Sequence, residues 1–136
     1  MKENIHIKRA LDLLNKSKLK NTKQRLRLIE ILFKNGNSHF TAEQVFREAK
    51  KGNKISLATV YNCLNQFVRN NIINVVKLSS EKFFFDTNMN SHYHFFCTKT
   101  GELKDIPYSD VVISKLPDIP NKKKIKSVDI VINISD

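Results

Sequence analysis

The sequence predicts an α+β protein in which an amino-terminal winged helix-turn-helix is followed by a small α/β dimerisation domain. Apolar residues repeat at helical intervals through residues 5–67, and short β-type runs begin at residue 73. Near the end of the sequence, Val128, Ile130, Ile132 and Ile134 occupy alternate positions. At 136 residues the chain can bury one ordinary core, or two very small ones that lean on each other or on a second copy. This length excludes a large catalytic fold such as a barrel.

Two amphipathic helices are predicted at the amino terminus. Residues 5–14 place their apolar side chains three or four positions apart, with charged residues between them. Thr22 offers a side-chain oxygen for the start of a second helix. Its apolar repeat continues until the Asn35-Gly36-Asn37 sequence, which is typical of a helix end.

Two further helices follow. Thr41, with Gln44 three residues later, has the form of a capping box and opens a short third helix. Gly52 ends that helix, and Ser56 caps a fourth one, which continues to Asn70. A winged helix-turn-helix consists of three helices followed by a β-hairpin. The second, third and fourth helices supply the three helices, so this fold requires a hairpin after Asn70.

The period changes to short strands after the fourth helix. Residues 73–78 and 83–86 form β-type runs around a polar turn at 79–81. Further strands are expected at 93–97, 103–106 and 125–134, with a short helix around 110–116. Alternation in the last strand predicts one buried face. Because residues 92–136 are too few to be stable alone, we expect a dimer.

The charge is unevenly distributed. The chain has 24 Lys and Arg against 13 Asp and Glu, a formal net charge of +11. Residues 1–72 hold 15 of these basic groups against 5 acidic ones, whereas residues 73–136 hold 9 against 8. An excess of positive charge favours a polyanionic partner, a nucleic acid or an acidic membrane surface.

No segment of the sequence is typical of a membrane span or a leader. No apolar run approaches the roughly 18 residues that cross a bilayer. The amino terminus also lacks the apolar core of a signal peptide. We therefore expect a cytoplasmic protein with no membrane partner.

The fourth helix has the composition of a recognition helix. If Val60, Leu64 and Phe67 face the core, the opposite side presents mostly uncharged polar groups. These are Ser56, Ala58, Thr59, Asn62, Asn65, Gln66 and Arg69, with Tyr61 at the flank. Asn and Gln can pair with adenine, and Ala and Thr methyls can touch thymine. The alternative is an ordinary amphipathic helix, but the basic half-chain and the hairpin favour DNA recognition.

A group of basic residues precedes and enters the second helix. It comprises Lys18, Lys20, Lys23, Arg25 and Arg27. Such groups neutralise phosphates and give salt-dependent affinity without sequence choice. Taken singly, each of them is equally compatible with a solvated surface charge.

Histidines and one aspartate indicate a metal site. His92 and His94 share a strand face, Asp86 lies across a turn, and His39 precedes the third helix. This ligand set suits ferrous iron, manganese or zinc. The alternative is a set of structural or solvent-facing histidines. If ligands came from both halves, metal occupancy would set the angle between the two predicted domains. The domain arrangement would then be a two-state equilibrium that metal binding biases.

The two cysteines, Cys63 and Cys97, do not form a disulfide framework or a thiolate metal site by pattern. Cys97 has no partner cysteine three residues on, because position 100 is Thr. We interpret both thiols as buried and structural.

Several strings together resemble the ferric uptake regulator family over residues 18–134. They are Thr41-Ala42-Glu43, Ile55-Ser56-Leu57-Ala58-Thr59-Val60-Tyr61-Asn62 and His92-Tyr93-His94-Phe95-Phe96-Cys97. Asn62 in place of the more usual Arg, with residues 85–88 and 114–117, is similar to the iron response regulator branch, which controls haem synthesis and iron genes.

The resemblance implies a homodimer that binds AT-rich operators in double-stranded DNA. By motif position it implies DNA contacts from Lys20, Arg25, Ser56, Thr59, Tyr61 and Asn62. It implies interdomain metal ligands at His39, Asp86, His92 and His94, and Asp105 lies near a further acidic position of the family.

Two departures from the family pattern concern its metals. Many relatives hold a structural zinc with two Cys-x-x-Cys pairs, but Thr100 breaks the first pair here and the sequence has no second. We therefore expect no Cys₄ zinc site. The iron response branch resembles a haem sensor with three consecutive histidines, whereas Tyr93 replaces the middle one here. Haem sensing stays open because His92 and His94 remain candidate axial ligands.

These observations predict a metal- or haem-responsive DNA-binding transcription regulator of iron and haem homeostasis genes, not an enzyme. Residues 1–87 would form the winged-helix DNA-binding domain and residues 88–136 the α/β dimerisation and metal-sensing domain. A sequence-nonspecific basic nucleic-acid-binding protein is one alternative. A zinc hydrolase is another, although the sequence lacks a nucleophile elbow, a phosphate loop and a His-Glu-x-x-His motif.

Overall fold

Each helix in the amino-terminal part of the chain begins where a side-chain oxygen caps its first turn. Thr22 accepts a hydrogen bond from the Arg25 backbone, Ser56 accepts one from Thr59, and Thr41 forms a reciprocal capping box with Gln44. These three predicted helix starts are confirmed. The first helix is capped by Asn4, which accepts from two backbone amides. The helices are α1 (Ile5–Lys16), α2 (Lys23–Phe33), α3 (Ala42–Ala49) and α4 (Leu57–Arg69).

The structure, a computed structural model, describes residues 4–79 and 81–136. The chain separates into two compact units, unit 1 (Met1–Met89) and unit 2 (Asn90–Asp136). No helix in the described ranges is both long and apolar enough to span a membrane.

Unit 1 carries a three-stranded antiparallel sheet with the order β1-β3-β2. Its strands are β1 (His39–Phe40), β2 (Asn74–Lys77) and β3 (Phe83–Asp86). The predicted β2–β3 hairpin is confirmed, although Ser80 of its predicted turn lies outside the described residues. Sequence reasoning missed β1 because two residues are too few to show alternation. With α2, α3 and α4, this sheet forms a winged helix-turn-helix.

One apolar core holds unit 1 together. Val60, Leu64 and Phe67, the predicted inner face of α4, are each 0% exposed. They pack with buried residues from the other helices and with Phe85 of β3 in one continuous cluster. Because α4 is amphipathic at the helical period, burying this face turns its polar residues outward.

Unit 2 is built on one three-stranded sheet with the order β5-β4-β6. Its strands are β4 (His92–Cys97), β5 (Leu103–Pro107) and β6 (Val131–Ile134), and a 3₁₀ turn at Tyr108–Asp110 follows β5. β4 pairs antiparallel with β5 and parallel with β6. The register places His94 opposite Asp105.

The helix predicted around residues 110–116 is wrong. The structure has only the 3₁₀ turn at Tyr108–Asp110, and residues 111–120 are neither helix nor strand. Pro117 and Pro120 disfavour helical backbone at the residues that precede them, and β-branched side chains at 111–113 lower helix propensity.

The long last strand is also wrong, because only its final part pairs with β4, as β6. Most of the expected buried face is exposed in the single chain: Val128, Ile132 and Ile134 are 38%, 40% and 44% accessible, and Ile130 is half-buried. In the described part of unit 2, no helix packs as a second layer over the sheet. The alternation therefore marks an amphipathic strand whose apolar side is not covered within one chain.

We expect Leu64→Ala to lower the free energy of unfolding by about 2–5 kcal/mol, because it removes a fully buried side chain and leaves a cavity. Asn65→Ala, at the exposed neighbouring position of the same helix, should change it by no more than about 0.5 kcal/mol. Urea denaturation followed by circular dichroism measures both. Equal effects of the two substitutions would contradict the orientation of α4.

Candidate nucleic-acid interface and metal centre

The outward face of α4 presents short polar and methyl-bearing side chains. Ser56, Ala58 and Asn62 are exposed, and Thr59 is half-buried. The Ser56 and Thr59 hydroxyls lie 2.9 Å apart at the first turn of the helix, where Ser56 also accepts from the Thr59 amide at 3.1 Å. These groups are of the size and chemistry that read base edges in a major groove.

Arg25 of α2 is held by two hydrogen bonds, one to the segment before α2 and one to α4. Its guanidinium donates to the Lys20 carbonyl at 2.8 Å and to Gln66 Oε1 at 3.0 Å. Arg25 is therefore presented at a fixed place beside α4, and Lys20 is exposed next to it. The sequence placed Gln66 among the base-reading groups, but its amide oxygen is engaged within the protein.

Tyr61 is fixed from two sides. Its hydroxyl donates to Glu43 Oε1 at 3.0 Å, and its ring meets Phe83 edge-on at a centroid distance of 6.1 Å. Burial raises the pKa of Tyr61, and the hydrogen bond and negative charge of Glu43 raise it further. Sequence reasoning gave no signal for Glu43, which lies 18 positions away.

The surroundings of the α4 amino terminus are basic. An open depression of about 490 Å³ lies beside it and includes Lys50, Lys54, Ser56 and Thr59 in its lining. Lysines next to the amino end of a helix create a positive potential suited to phosphate oxygens. Of the six predicted DNA-contacting residues, four lie on or cap α4, and Arg25 and Lys20 lie beside it.

In unit 1 the pairing of β1 with β3 places His39 opposite Asp86. His39 Nε2 lies 3.5 Å from Asp86 Oδ2, and the two side chains are 18% and 1% exposed. The other carboxylate oxygen of Asp86 accepts a hydrogen bond from the Asn88 amide at 2.8 Å. This imidazole and carboxylate form a ligand pair whose orientation is fixed by the fold.

In unit 2 the sheet brings together His92, His94 and Asp105. The Nε2 atoms of His92 and His94 lie 3.5 Å and 3.4 Å from Asp105 Oδ1. Each of the three residues offers one ligand atom, and these atoms lie within 4.8 Å of one another. His92 Nδ1 donates to the Asn90 carbonyl, which leaves Nε2 with the lone pair that a metal needs.

The donors in both units are imidazole nitrogens and carboxylate oxygens, which fit ferrous iron, manganese or zinc. His39 and Asp86 lie together in unit 1, and His92 and His94 lie together in unit 2. Asp105, which the resemblance only placed near an acidic family position, stands within reach of both unit 2 histidines. The proximity of Asp105 to the two histidines follows from the register of β4 against β5. The sequence alone does not determine this register.

The cysteines occupy different environments. Cys63 is buried as predicted, and burial raises the pKa of its thiol. Cys97 is half-buried, so its prediction as a buried thiol is wrong, because it lies at the open end of β4. Hydrogen bonds from the side chain and backbone of Thr100 lower the pKa of the Cys97 thiol.

The β4–β5 hairpin turn is closed by backbone hydrogen bonds. Gly101 donates to the Cys97 carbonyl at 2.8 Å, and Cys97 donates to the Glu102 carbonyl at 2.9 Å. Gly101 has a φ of 76°, a conformation that favours glycine.

The fold and the two ligand groups define a winged-helix protein followed by a small unit built on one three-stranded sheet, with candidate metal ligands in both. Residues 16–135 match the ferric uptake regulator family, and the chain belongs to this family. The predicted family and fold class are thereby confirmed, and the iron response branch stays a prediction.

Two curated relatives and one solved structure illustrate this membership. The peroxide-responsive repressor PerR of Staphylococcus epidermidis is 32% identical over 96 residues, covering 70% of this chain and 63% of the relative. The ferric uptake regulation protein of Escherichia coli K12 is 35% identical over 99 residues, covering 71% and 66%. The matches thus span just under two thirds of these relatives. The Helicobacter pylori ferric uptake regulator, 23% identical, shares the fold with a TM-score of 0.72, covering 100% of this chain and 96% of that one.

We expect iodoacetamide to modify Cys97 before Cys63 near neutral pH, because a lowered pKa gives more thiolate and burial shields the other thiol. Thr100→Val should move the alkylation profile of Cys97 to higher pH. Mass spectrometry of quenched samples across a pH series measures both effects, with Cys97→Ser as the control for assignment. Faster modification of Cys63, or an unchanged profile in Thr100→Val, would contradict these environments.

Proposed function

We propose that this protein is a divalent-metal-responsive, sequence-specific DNA-binding transcription regulator that controls iron homeostasis genes. The single observation that carries the proposal is the convergence of His92, His94 and Asp105 in a chain whose α4 exposes a base-reading face. Family membership supports it, since two relatives are named as a repressor and as a ferric uptake regulation protein.

For DNA binding, α4 would enter the major groove of an AT-rich operator in double-stranded DNA. Asn62 would pair with an adenine, and Thr59 would contact a thymine methyl or a phosphate. Ser56 and Tyr61 would contribute further contacts, while Arg25 and Lys20 would neutralise phosphates beside the groove. The net charge of +10 in residues 1–72 supports this assignment of the binding surface.

For sensing, the candidate metal ligands are His39 and Asp86 in unit 1, and His92, His94 and Asp105 in unit 2. A bound divalent cation holds imidazole and carboxylate ligands at fixed distances. Metal occupancy would then favour one of two states of the protein that differ in their affinity for the operator. The ligand types favour ferrous iron, manganese and zinc over haem.

For assembly, we propose a homodimer formed by unit 2. The apolar side chains of Val112, Leu116, Ile132 and Ile134 are exposed in the single chain. A second copy would bury them and supply the layer that the sheet of unit 2 lacks. Two copies of α4 would then face the two halves of a palindromic operator in the cytoplasm.

Metal response is tested by measuring the affinity for an AT-rich palindromic fragment at fixed salt while ferrous iron, manganese, zinc or haem is added. We expect one divalent ion to shift the affinity, and His92→Ala and Asp105→Asn to remove that shift. Asp110→Asn, an exposed carboxylate of the same unit outside the cluster, is the matched control and should respond like the native chain.

A response that survives in both His92→Ala and Asp105→Asn would overturn the metal site. If only haem shifted the operator affinity, the protein would be a haem sensor and not a sensor of divalent metal. The Staphylococcus epidermidis relative is named as peroxide-responsive, so peroxide is an alternative signal to metal supply. Measuring the operator affinity of the metal-loaded protein with and without hydrogen peroxide decides between the two signals.

Base reading is tested by Asn62→Ala. We expect it to weaken binding to the specific operator by about 1–3 kcal/mol while changing affinity for random DNA little. Lys54→Ala, at the basic depression, should weaken both and reduce the salt dependence. Fluorescence anisotropy over a salt series measures these affinities. If Asn62→Ala weakened specific and random DNA equally, the protein would instead be a sequence-nonspecific basic nucleic-acid binder.

A further inference from the structure

We propose that Thr87 is a positioning residue for the metal-ligand pair His39 and Asp86, and that its hydroxyl sets how tightly this pair binds a divalent cation. The proposal rests on the proposed function, because it assigns a role to a residue beside the ligands. Thr87 follows Asp86 directly in sequence and is 1% exposed. Its hydroxyl is engaged with Ser38 and Gly36, so we assign it an effect through its neighbours.

Thr87 holds both backbone polar groups of Ser38, the residue before His39. Its amide donates to the Ser38 carbonyl at 3.1 Å, and its hydroxyl oxygen accepts from the Ser38 amide at 2.9 Å. The hydroxyl proton can be donated to the carbonyl of Gly36 or of Ser38, each 3.3 Å away. One buried side chain thus connects the segment before one ligand to the segment after the other.

This connection compensates for a very short strand pairing. β1 pairs with β3 through only two residue pairs, His39 with Asp86 and Phe40 with Phe85. Two pairs constrain the separation and tilt of a strand weakly, since each isolated hydrogen bond contributes only about 1 kcal/mol. The bonds of Thr87 to Ser38 continue the pairing by one residue, on the side where the ligands lie.

The segment held by Thr87 is also fixed from the opposite side. Gly36 has a φ of 77°, and a Cβ added to it would stand 3.2 Å from His6 Nε2 of α1. The Asn4 side chain donates to the Lys34 carbonyl at 2.9 Å, two residues earlier. The turn leading into His39 therefore lies close to α1 as well as to Thr87.

Loss of the Thr87 hydroxyl should therefore loosen His39 relative to Asp86. The Ser38 amide would lose its acceptor, and the carbonyl of Gly36 or Ser38 would lose a donor. The ligand pair would then have to be ordered when the cation binds, which lowers affinity. Removing groups that orient metal ligands typically weakens binding by about 10- to 100-fold.

The test compares Thr87→Val with Thr87→Ser in the full chain, using Mn²⁺ and Zn²⁺ in competition with a chromophoric chelator. We expect Thr87→Val, which keeps the shape and removes the hydroxyl, to weaken binding about 10- to 100-fold. Thr87→Ser, which keeps the hydroxyl, should restore affinity to within a few-fold of the native chain. Urea denaturation of the metal-free proteins gives the stability of each variant.

Thr22→Ala separates positioning from general destabilisation. It removes the cap of α2, far in sequence from both ligands, and lowers stability by an amount comparable with a lost hydrogen bond. We expect its metal affinity to equal that of the native chain. The proposal is overturned if Thr87→Val binds both ions like the native chain, or if Thr22→Ala weakens binding as much.

If Thr87→Val does not fold, Gly36→Ala provides the second test. Alanine at this φ is strained, and its methyl group would stand 3.2 Å from His6 Nε2, so the turn that the Thr87 hydroxyl holds should loosen and metal affinity should again fall. Native affinity in Gly36→Ala would overturn the proposal. If the native chain itself binds neither ion, the proposed metal function fails as well, whereas native binding with no effect of Thr87→Val removes only the positioning role.

Discussion

The burial of one face of α4 is the constraint on which the rest of unit 1 depends. Val60, Leu64 and Phe67 are completely removed from solvent, and no rotation of the helix can keep them there while turning Asn62 inward. The hydrophobic effect, which has no directional preference of its own, thereby sets the direction of the polar groups. The β2–β3 hairpin follows α4 directly, so its place beside the helix is set by the same burial.

The amino-terminal fold could be predicted from sequence because its signals are local. A cap such as Thr41 with Gln44 acts within one turn, and the apolar repeat of α4 is complete within its own 13 residues. β1 could not be predicted, since His39 and Phe40 become a strand only by pairing with β3. Strand formation there is a tertiary event that the two residues do not encode alone.

In the candidate site, too, local sequence patterns predict some of the residues, and tertiary contacts bring in the others. His92 and His94 could be paired from the period of one strand, whereas Asp105 joins them only through the register of two strands. The partners of the α4 residues were likewise out of reach: Tyr61 meets Glu43 from another helix, and Arg25 meets Gln66 across 41 positions. In unit 2, alternation predicted a strand that is longer than β6 and a face that is more buried than the single chain shows. The period of a strand marks which side chains share a face, but it does not say what packs against that face.

The hydrogen-bonded turn between β4 and β5 has a consequence for oxidation of the nearby thiol. The turn is closed by the Gly101 amide on the Cys97 carbonyl and by the Cys97 amide on the Glu102 carbonyl, so backbone groups alone make both bonds. Oxidation or alkylation of the Cys97 sulfur changes neither donor nor acceptor of these bonds. The position of the β4–β5 register, and with it the place of Asp105 opposite His94, therefore does not depend on the redox state of this thiol.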